Sequence, residues 1–367
     1  MRMTRRHLLA AAAAGAVVKP GASAPGTLPN LGALAAGRGL LFGSAFDQEI
    51  SRDPAYRAVI AANCRIATIE NALKFDWLRP KGPVADFRKA DQLVNFAVNA
   101  KIAARGSALI WNDWAPDWLT AKSAQEIAGM LDRHVEETVS RYAGRMHGWD
   151  VVNEPFFPPH GREDGYRKGP WFDALGKDYV ARAFRRAAAA DPAAHMVLNE
   201  AFCEQDDDLG RSVRPLLLDL VDELKHQGVK LDAVGFQAHL KPHLPFSDQR
   251  FAEYLAKIAE RDVDIHITEL DVDDSHLPDD IVVRDQAVAK RCHDFLTAVL
   301  AVPRVRAVIC WQLSDRYSWY ASADWYLKAV ARSGAARHPR THLLDADLQP
   351  KPAWNSVARA LEGRVKP

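Results

Sequence analysis

Glu154 and Glu269 each stand directly after a short β-forming run, Val151-Val152-Asn153 in one case and Ile265-His266-Ile267-Thr268 in the other. Two carboxyl groups flanking an acetal bond between sugars can divide a hydrolysis between them. One protonates the leaving oxygen, and the other attacks or stabilises the cationic sugar carbon. The negative charge of one also raises the pKa of its neighbour and keeps that acid protonated near neutral pH. Taken singly, a glutamate in such a place also reads as a cap for the next helix or as a partner for arginine, so the chemistry depends on what brings the two together.

Short apolar runs begin near Leu40, Cys64, Ile102, Met146, His195, Leu231, Val263 and Arg306, separated by segments with helical periodicity. Asp53-Pro54 supplies a helix cap and a first-turn proline, Ser123 and Glu126 form a capping box, and Phe251, Tyr254, Leu255 and Ile258 make an apolar stripe over 248–261. Alternating strands and helices argue for a parallel sheet, and eight such units for an α/β fold closed as a single (β/α)8 TIM barrel. Strand after strand ends in polar or aromatic residues: Glu70-Asn71, Trp111, Asn153-Glu154, Asn199-Glu200, Gln237 with His239, Glu269, and Trp311-Gln312. A barrel gathers those ends into one bowl, whereas an open sheet would offer a crevice drawing on only a few neighbouring strands.

The chain has 367 residues, 48% hydrophobic and 26% charged, with 48 Lys and Arg against 47 acids. A net charge of +1 is too balanced for a grip on phosphate backbones or anionic lipid, so neither nucleic acid nor membrane is an expected partner. Ten tryptophans are the one excess, and they suit a heavy core before they suit flat ligands. Residues 1–24 read as an export signal of twin-arginine type (Thr4-Arg5-Arg6-His7-Leu8-Leu9), its apolar stretch from Leu8 to Val18 too short to cross a bilayer. Its removal takes away four basic groups and brings the charge from +1 to −3. Residues 25–38 read as a linker and 39–367 as the catalytic domain, exported to a bacterial periplasm or beyond, with a monomer expected. The cysteines at 64, 203, 292 and 310 show no metal spacing, and three full disulfide connectivities are open to them.

Gly148-Trp149-Asp150-Val151-Val152-Asn153-Glu154-Pro155 resembles the fourth-strand acid/base motif of the family 10 glycoside hydrolases, typified by endo-1,4-β-xylanases, and Thr268-Glu269-Leu270-Asp271 resembles their nucleophile motif. Thr68-x-Glu70-Asn71-x-x-Lys74 is similar to the second-strand sugar-binding motif, Gly235-Phe236-Gln237-Ala238-His239 to the sixth-strand motif, and Trp311-x-x-x-Asp315-x-x-Ser318-Trp319 to the eighth. Leu344-Asp345-x-x-x-Gln349-Pro350-Lys351-Pro352-Ala353 matches the closing segment, and all six occur in the family's order. The resemblance implies a retaining hydrolase of β-1,4-xylosidic bonds in xylan or xylo-oligosaccharides, with Glu269 as nucleophile, Glu154 as acid/base, and no metal or organic cofactor. It also implies that Asn153 holds the sugar 2-hydroxyl, that Gln237 and His239 orient the nucleophile and its sugar, and that Glu70, Asn71 and Lys74 bind the next sugar outward. Trp111, Trp311 and Trp319 would wall the sugar sites.

The third strand departs from the pattern. Where the family reads Arg-Gly-His and then Trp-His-x-Gln, this chain has Arg105-Gly106-Ser107 and Trp111-Asn112-Asp113-Trp114. At the fifth strand Asn199-Glu200-Ala201-Phe202 replaces the family's Asn-Asp-Tyr-Asn. These changes leave the two carboxyl groups in place and point to a shifted substrate preference: another β-glycoside, such as a decorated xylan fragment or a small-molecule glycoside, or a barrel that binds carbohydrate without cleaving it. His239-x-x-x-His243 has a proline inside it and no accompanying glutamate, so it is not read as a zinc motif, and Asp206-Asp207-Asp208 reads as a solvated helix start rather than a calcium loop.

Overall fold

The computed structural model describes residues 28–331 and 337–363; the export signal and residues 25–27 of the linker lie outside them. Ten strands form one sheet: β1 (Leu41–Phe46), β2 (Ile66–Ile69), β3 (Ala103–Gly106), β4 (Ile110–Trp111), β5 (Met146–Asn153), β6 (His195–Glu200), β7 (Ala233–Phe236), β8 (His239–Leu240), β9 (Asp264–Val272) and β10 (Val305–Cys310). Their order is β10-β1-β2-β3-β5-β6-β7-β9, and β10 also pairs with β9, so the sheet closes on itself. β4 and β8 continue the lines of β3 and β7, which leaves eight staves, all parallel, in a (β/α)8 barrel.

Every stave is buried along nearly its whole length, as expected when helices cover the outside and side chains fill the interior. The strand starts fall within two residues of the sequence expectation. The capping signals hold as well: Asp53 Oδ1 accepts from Tyr56 N ahead of Pro54–Asn63, and Ser123 and Glu126 exchange hydrogen bonds at the start of Ala124–Arg141. At Gly235 a Cβ would stand 2.3 Å from Asn199 Oδ1, so the glycine leaves the room that this asparagine needs to reach across the bowl.

Two expectations need correction. The linker assigned to 25–38 is part of the fold over its second half: Asn30 caps a helix, Leu31–Gly37, whose Leu31 and Ala35 are fully buried, and Trp354 Nε1 donates to Pro29 O. The barrel domain therefore begins before residue 39. Small residues read as linker because they offer no long apolar stripe, yet they let this short helix sit close to the terminal helix Pro352–Gly363. Asp206-Asp207-Asp208 is only partly a solvated helix start: Asp207 caps Asp208–His226, but Asp206 is buried between Arg214 and Arg250. The tryptophans split between roles, with Trp149, Trp171 and Trp354 in the core while Trp111, Trp114, Trp311, Trp319 and Trp325 line the cleft described next. The four cysteines are all buried and all free.

Candidate active site

A cleft of about 530 Å³ opens at the carboxyl ends of the staves. It is lined by Glu154 and Glu269 together with Glu70, Asn71, Lys74, Trp111, Asn153, Gln237, His239, Trp311 and Trp319, so every site residue expected from the sequence borders one space. Ser107 and Trp114, two of the departures from the family pattern, border it too.

Glu269 is held by side chains from neighbouring staves. Asn199, at the end of β6, donates through Nδ2 to Glu269 Oε1 and to Asn153 Oδ1, both at 2.8 Å, and its own Oδ1 accepts from Thr268 Oγ1 at 2.7 Å. The other carboxylate oxygen lies 3.3 Å from His239 Nε2, while His239 Nδ1 is 2.9 Å from Asp271 Oδ1. Asp271 is fixed in turn by Tyr320 OH at 2.7 Å and Trp319 Nε1 at 2.8 Å. Burial disfavours charge on His239, but Asp271 and Glu269 outweigh it and hold the imidazole well above its ordinary pKa. An imidazole facing a carboxylate through each nitrogen needs two N–H groups, which only the protonated ring has.

Glu154 is held differently. Its backbone has a left-handed φ of 48°, a conformation that costs a side-chain-bearing residue about 1 kcal/mol and is often stored at functional sites. Its Oε1 accepts from Gln237 Nε2 at 2.8 Å. Its Oε2 lies 2.7 Å from Arg167 Nη2, and the same guanidinium donates through Nε to the Glu154 carbonyl oxygen and pairs through Nη1 with Asp113. The pairing with arginine that a strand-end glutamate can always adopt is thus present, at the side of the cleft and with Glu154 still part of its wall. Burial pushes the Glu154 carboxyl up; Arg167 and Gln237 pull it down, the neighbouring Glu269 adds to the rise, and the result stays above the ordinary glutamate value. A second acid of the same strand, Asp150, forms a fully buried pair with Arg105 beneath the bowl.

Asn199 and Gln237 therefore connect the carboxylates: Glu269 and Asn153 share the Asn199 amide, and Glu154 and Asn153 share the Gln237 amide at 2.8 and 3.5 Å. Neither Asn199 nor Arg167 was among the expected site residues. Asn199 carried a usable signal, a polar residue at a strand end; Arg167 lies in an irregular loop and carried none.

Farther along the cleft, Lys74 Nζ donates to Asn71 Oδ1 and sits 5.4 and 4.9 Å from the rings of Trp111 and Trp114. Those two rings stack at 5.6 Å and 20°, giving an indole face where the family pattern has a glutamine. Burial pushes Glu70 up to about 7 against the pull of Lys74, and its Oε2 accepts from Gln312 Nε2. The departure at Asn112 is absorbed into structure: its Oδ1 accepts from the backbone N–H groups of Trp171 and Phe172 at the start of Pro170–Leu175, while its neighbour Asp113 takes Arg167.

The profile of glycosyl hydrolase family 10 matches residues 30–360. The chain belongs to this family. Endo-1,4-beta-xylanase C of Phanerodontia chrysosporium is 32% identical over 331 residues, 89% of this chain and 77% of that protein. Endo-1,4-beta-xylanase B of Thermotoga neapolitana is 28% identical over 85% of this chain and 84% of its own length. Among solved structures, native xylanase 10B of Thermotoga maritima superposes with a TM-score of 0.80 at 27% identity, covering 91% of this chain and 98% of that one. As a family 10 member the protein is a glycoside hydrolase built on a single TIM barrel. No described helix is long and apolar enough to cross a membrane.

Proposed function

We propose that this hydrolase is a retaining endo-1,4-β-xylanase, with Glu269 as nucleophile and Glu154 as acid/base. The observation that carries the reading is the pair of carboxylates in one cleft, joined through Asn199, Asn153 and Gln237 and placed differently with respect to charge. Glu269 faces the imidazolium of His239 through one carboxylate oxygen and the Asn199 amide through the other, which fixes the orientation of the attacking group. Burial raises the Glu154 pKa, the direction that suits a proton donor to the leaving oxygen.

In the first half-reaction Glu269 attacks the anomeric carbon, the glycosidic C–O bond breaks, and the Glu154 proton goes to the departing oxygen. In the second, Glu154, now ionised, takes a proton from water as that water displaces Glu269. The route requires the two carboxyl groups to stand about 5–5.5 Å apart. Asn153 is assigned to the sugar 2-hydroxyl, a role supported by its shared contacts with Asn199 and Gln237 beside the two carboxylates, and the indoles of Trp111, Trp311 and Trp319 are assigned to sugar C–H faces. Asn71, Lys74 and Glu70 supply polar partners for the sugar beyond. The substrate is xylan or xylo-oligosaccharide, a reading supported by the similarity to endo-1,4-beta-xylanases, and export by the signal in residues 1–24 would bring the enzyme to it. Trp114 in place of a polar family residue favours a chain carrying substituents over a plain one at the Lys74 end of the cleft.

Digestion of plain and substituted xylans, with products sized and their first-formed anomer read by NMR, tests the reading. Short oligosaccharides released initially as β-anomers are expected; α-anomers or an unchanged polymer would reject it.

A further inference from the structure

β8 and β9 run side by side, with His239 opposite Asp271 and Leu240 opposite Val272, so the segments that leave them emerge together at the rim of the barrel. His243 lies three residues beyond β8, and Asp273 and His276 lie one and four residues beyond β9. The two imidazole rings stack with centroids 3.8 Å apart and planes at 27°. Asp273 is 1% exposed; its Oδ1 accepts from Ser275 N, but its Oδ2 is buried without a hydrogen-bond partner and lies 3.9 Å from His243 Nδ1. A buried carboxylate oxygen left unpaired is costly, and such an atom aimed at two imidazoles calls for a cation between them.

We propose that His243, Asp273 and His276 bind a first-row transition ion of the zinc class, with water in the fourth position. One ligand atom from each residue lies within 4.8 Å of the others. A tetrahedral site with bonds of about 2.0–2.2 Å has ligand edges of roughly 3.3 Å, so small rotations of two exposed rings close it. Two imidazoles and one carboxylate suit zinc, and are too few and too nitrogen-rich for calcium, which takes six to eight oxygens.

The loop is already rigid on its other side. Arg337 donates to the carbonyls of Asp274, Ser275 and Leu277, while the Asp274 carboxylate pairs with Arg284 and accepts from Tyr326 OH. Those cations are occupied beside the site and leave Asp273 Oδ2 to its two histidines. An ion there clips the β8 segment to the β9 segment, and through Lys241, two residues before His243, it stiffens one wall of the cleft. It takes no part in bond cleavage. Sequence spacing could not show it, because the ligands come from two segments and only the strand pairing aligns them.

The test uses the full chain, stripped with a chelator and dialysed against Zn2+ buffered at about 10 µM, with metal per chain measured by emission spectroscopy and the site probed separately by Co2+ absorption. The parent should hold about one ion and give the visible spectrum of four-coordinate Co2+. The double variant H243A/H276A should bind at least tenfold more weakly, and D273N should lose affinity as well. Both histidines are exposed, so the double variant is expected to keep the parent's circular dichroism. H226A, on a surface helix elsewhere, should bind as the parent does. Retention below a tenth of an ion by the parent, or equal retention by the double variant, overturns the proposal.

Discussion

The two halves of the catalytic cleft are built from different parts of the barrel. Around Glu269 the supporting groups, Asn199, Thr268, His239 and Asp271, all belong to staves or to their immediate ends. Around Glu154 the strongest partner is Arg167, from the irregular segment after β5, braced by Asp113 from the segment after β4. The first arrangement is fixed by strand register, because a residue's place on a parallel stave determines which neighbours it meets. The second is fixed by loops, which can be rebuilt without disturbing the sheet. Under the roles proposed above, the attacking carboxylate is tied to strand register and the proton donor to loops, which lets loop changes retune the acid while the nucleophile stays put.

Substitutions in each half should sharpen this contrast. The largest effect should come from E269A, with turnover falling on the order of 10⁵-fold on xylan and aryl xylosides alike, because no step proceeds without the nucleophile. E154A should lose about 10²–10⁴-fold on xylan but keep most bond-cleavage activity on aryl xylosides whose leaving group needs no proton. Initial rates on the two substrate types distinguish these cases, and equal losses in both variants would break the division of labour.

Next in size, D271N removes the carboxylate that keeps His239 protonated and oriented, and kcat should fall about 10²-fold on both substrates. The smallest effect should follow R167M. Arg167 lowers the Glu154 pKa, so its removal raises it, and an acid with a higher pKa stays protonated to higher pH. The alkaline limb of the kcat/KM–pH profile on xylan should move upward, while the kcat/KM profile on activated aryl xylosides, which reports bond cleavage that needs no proton from Glu154, should hardly move. A downward shift, or equal shifts on both substrates, would show that Arg167 does not act through Glu154.

Legibility in the sequence follows the same division. The barrel could be read because parallel staves are short, wholly buried apolar runs, and all eight starts emerged within two residues of their positions. Glu269, His239 and Gln237 could be read because they sit at strand ends inside motifs of fixed spacing. Asn199 was visible at its strand end, but only register shows that its amide spans Asn153 and Glu269. Arg167 was illegible, since nothing in an irregular loop 13 residues past Glu154 says that the chain folds back on the carboxylate. The same holds for the helix Leu31–Gly37, whose alanines and glycines carry little hydrophobic pattern and gain their burial from a helix more than 300 residues away.

The central assignment is tested most directly by trapping the covalent intermediate. A xylobioside carrying fluorine at C2 and a good leaving group slows the second step more than the first, so the glycosyl–enzyme accumulates, and mass spectrometry of its peptides locates the ester. One label per chain is expected, on Glu269. A label on Glu154, or inverted product with no label at all, would contradict it.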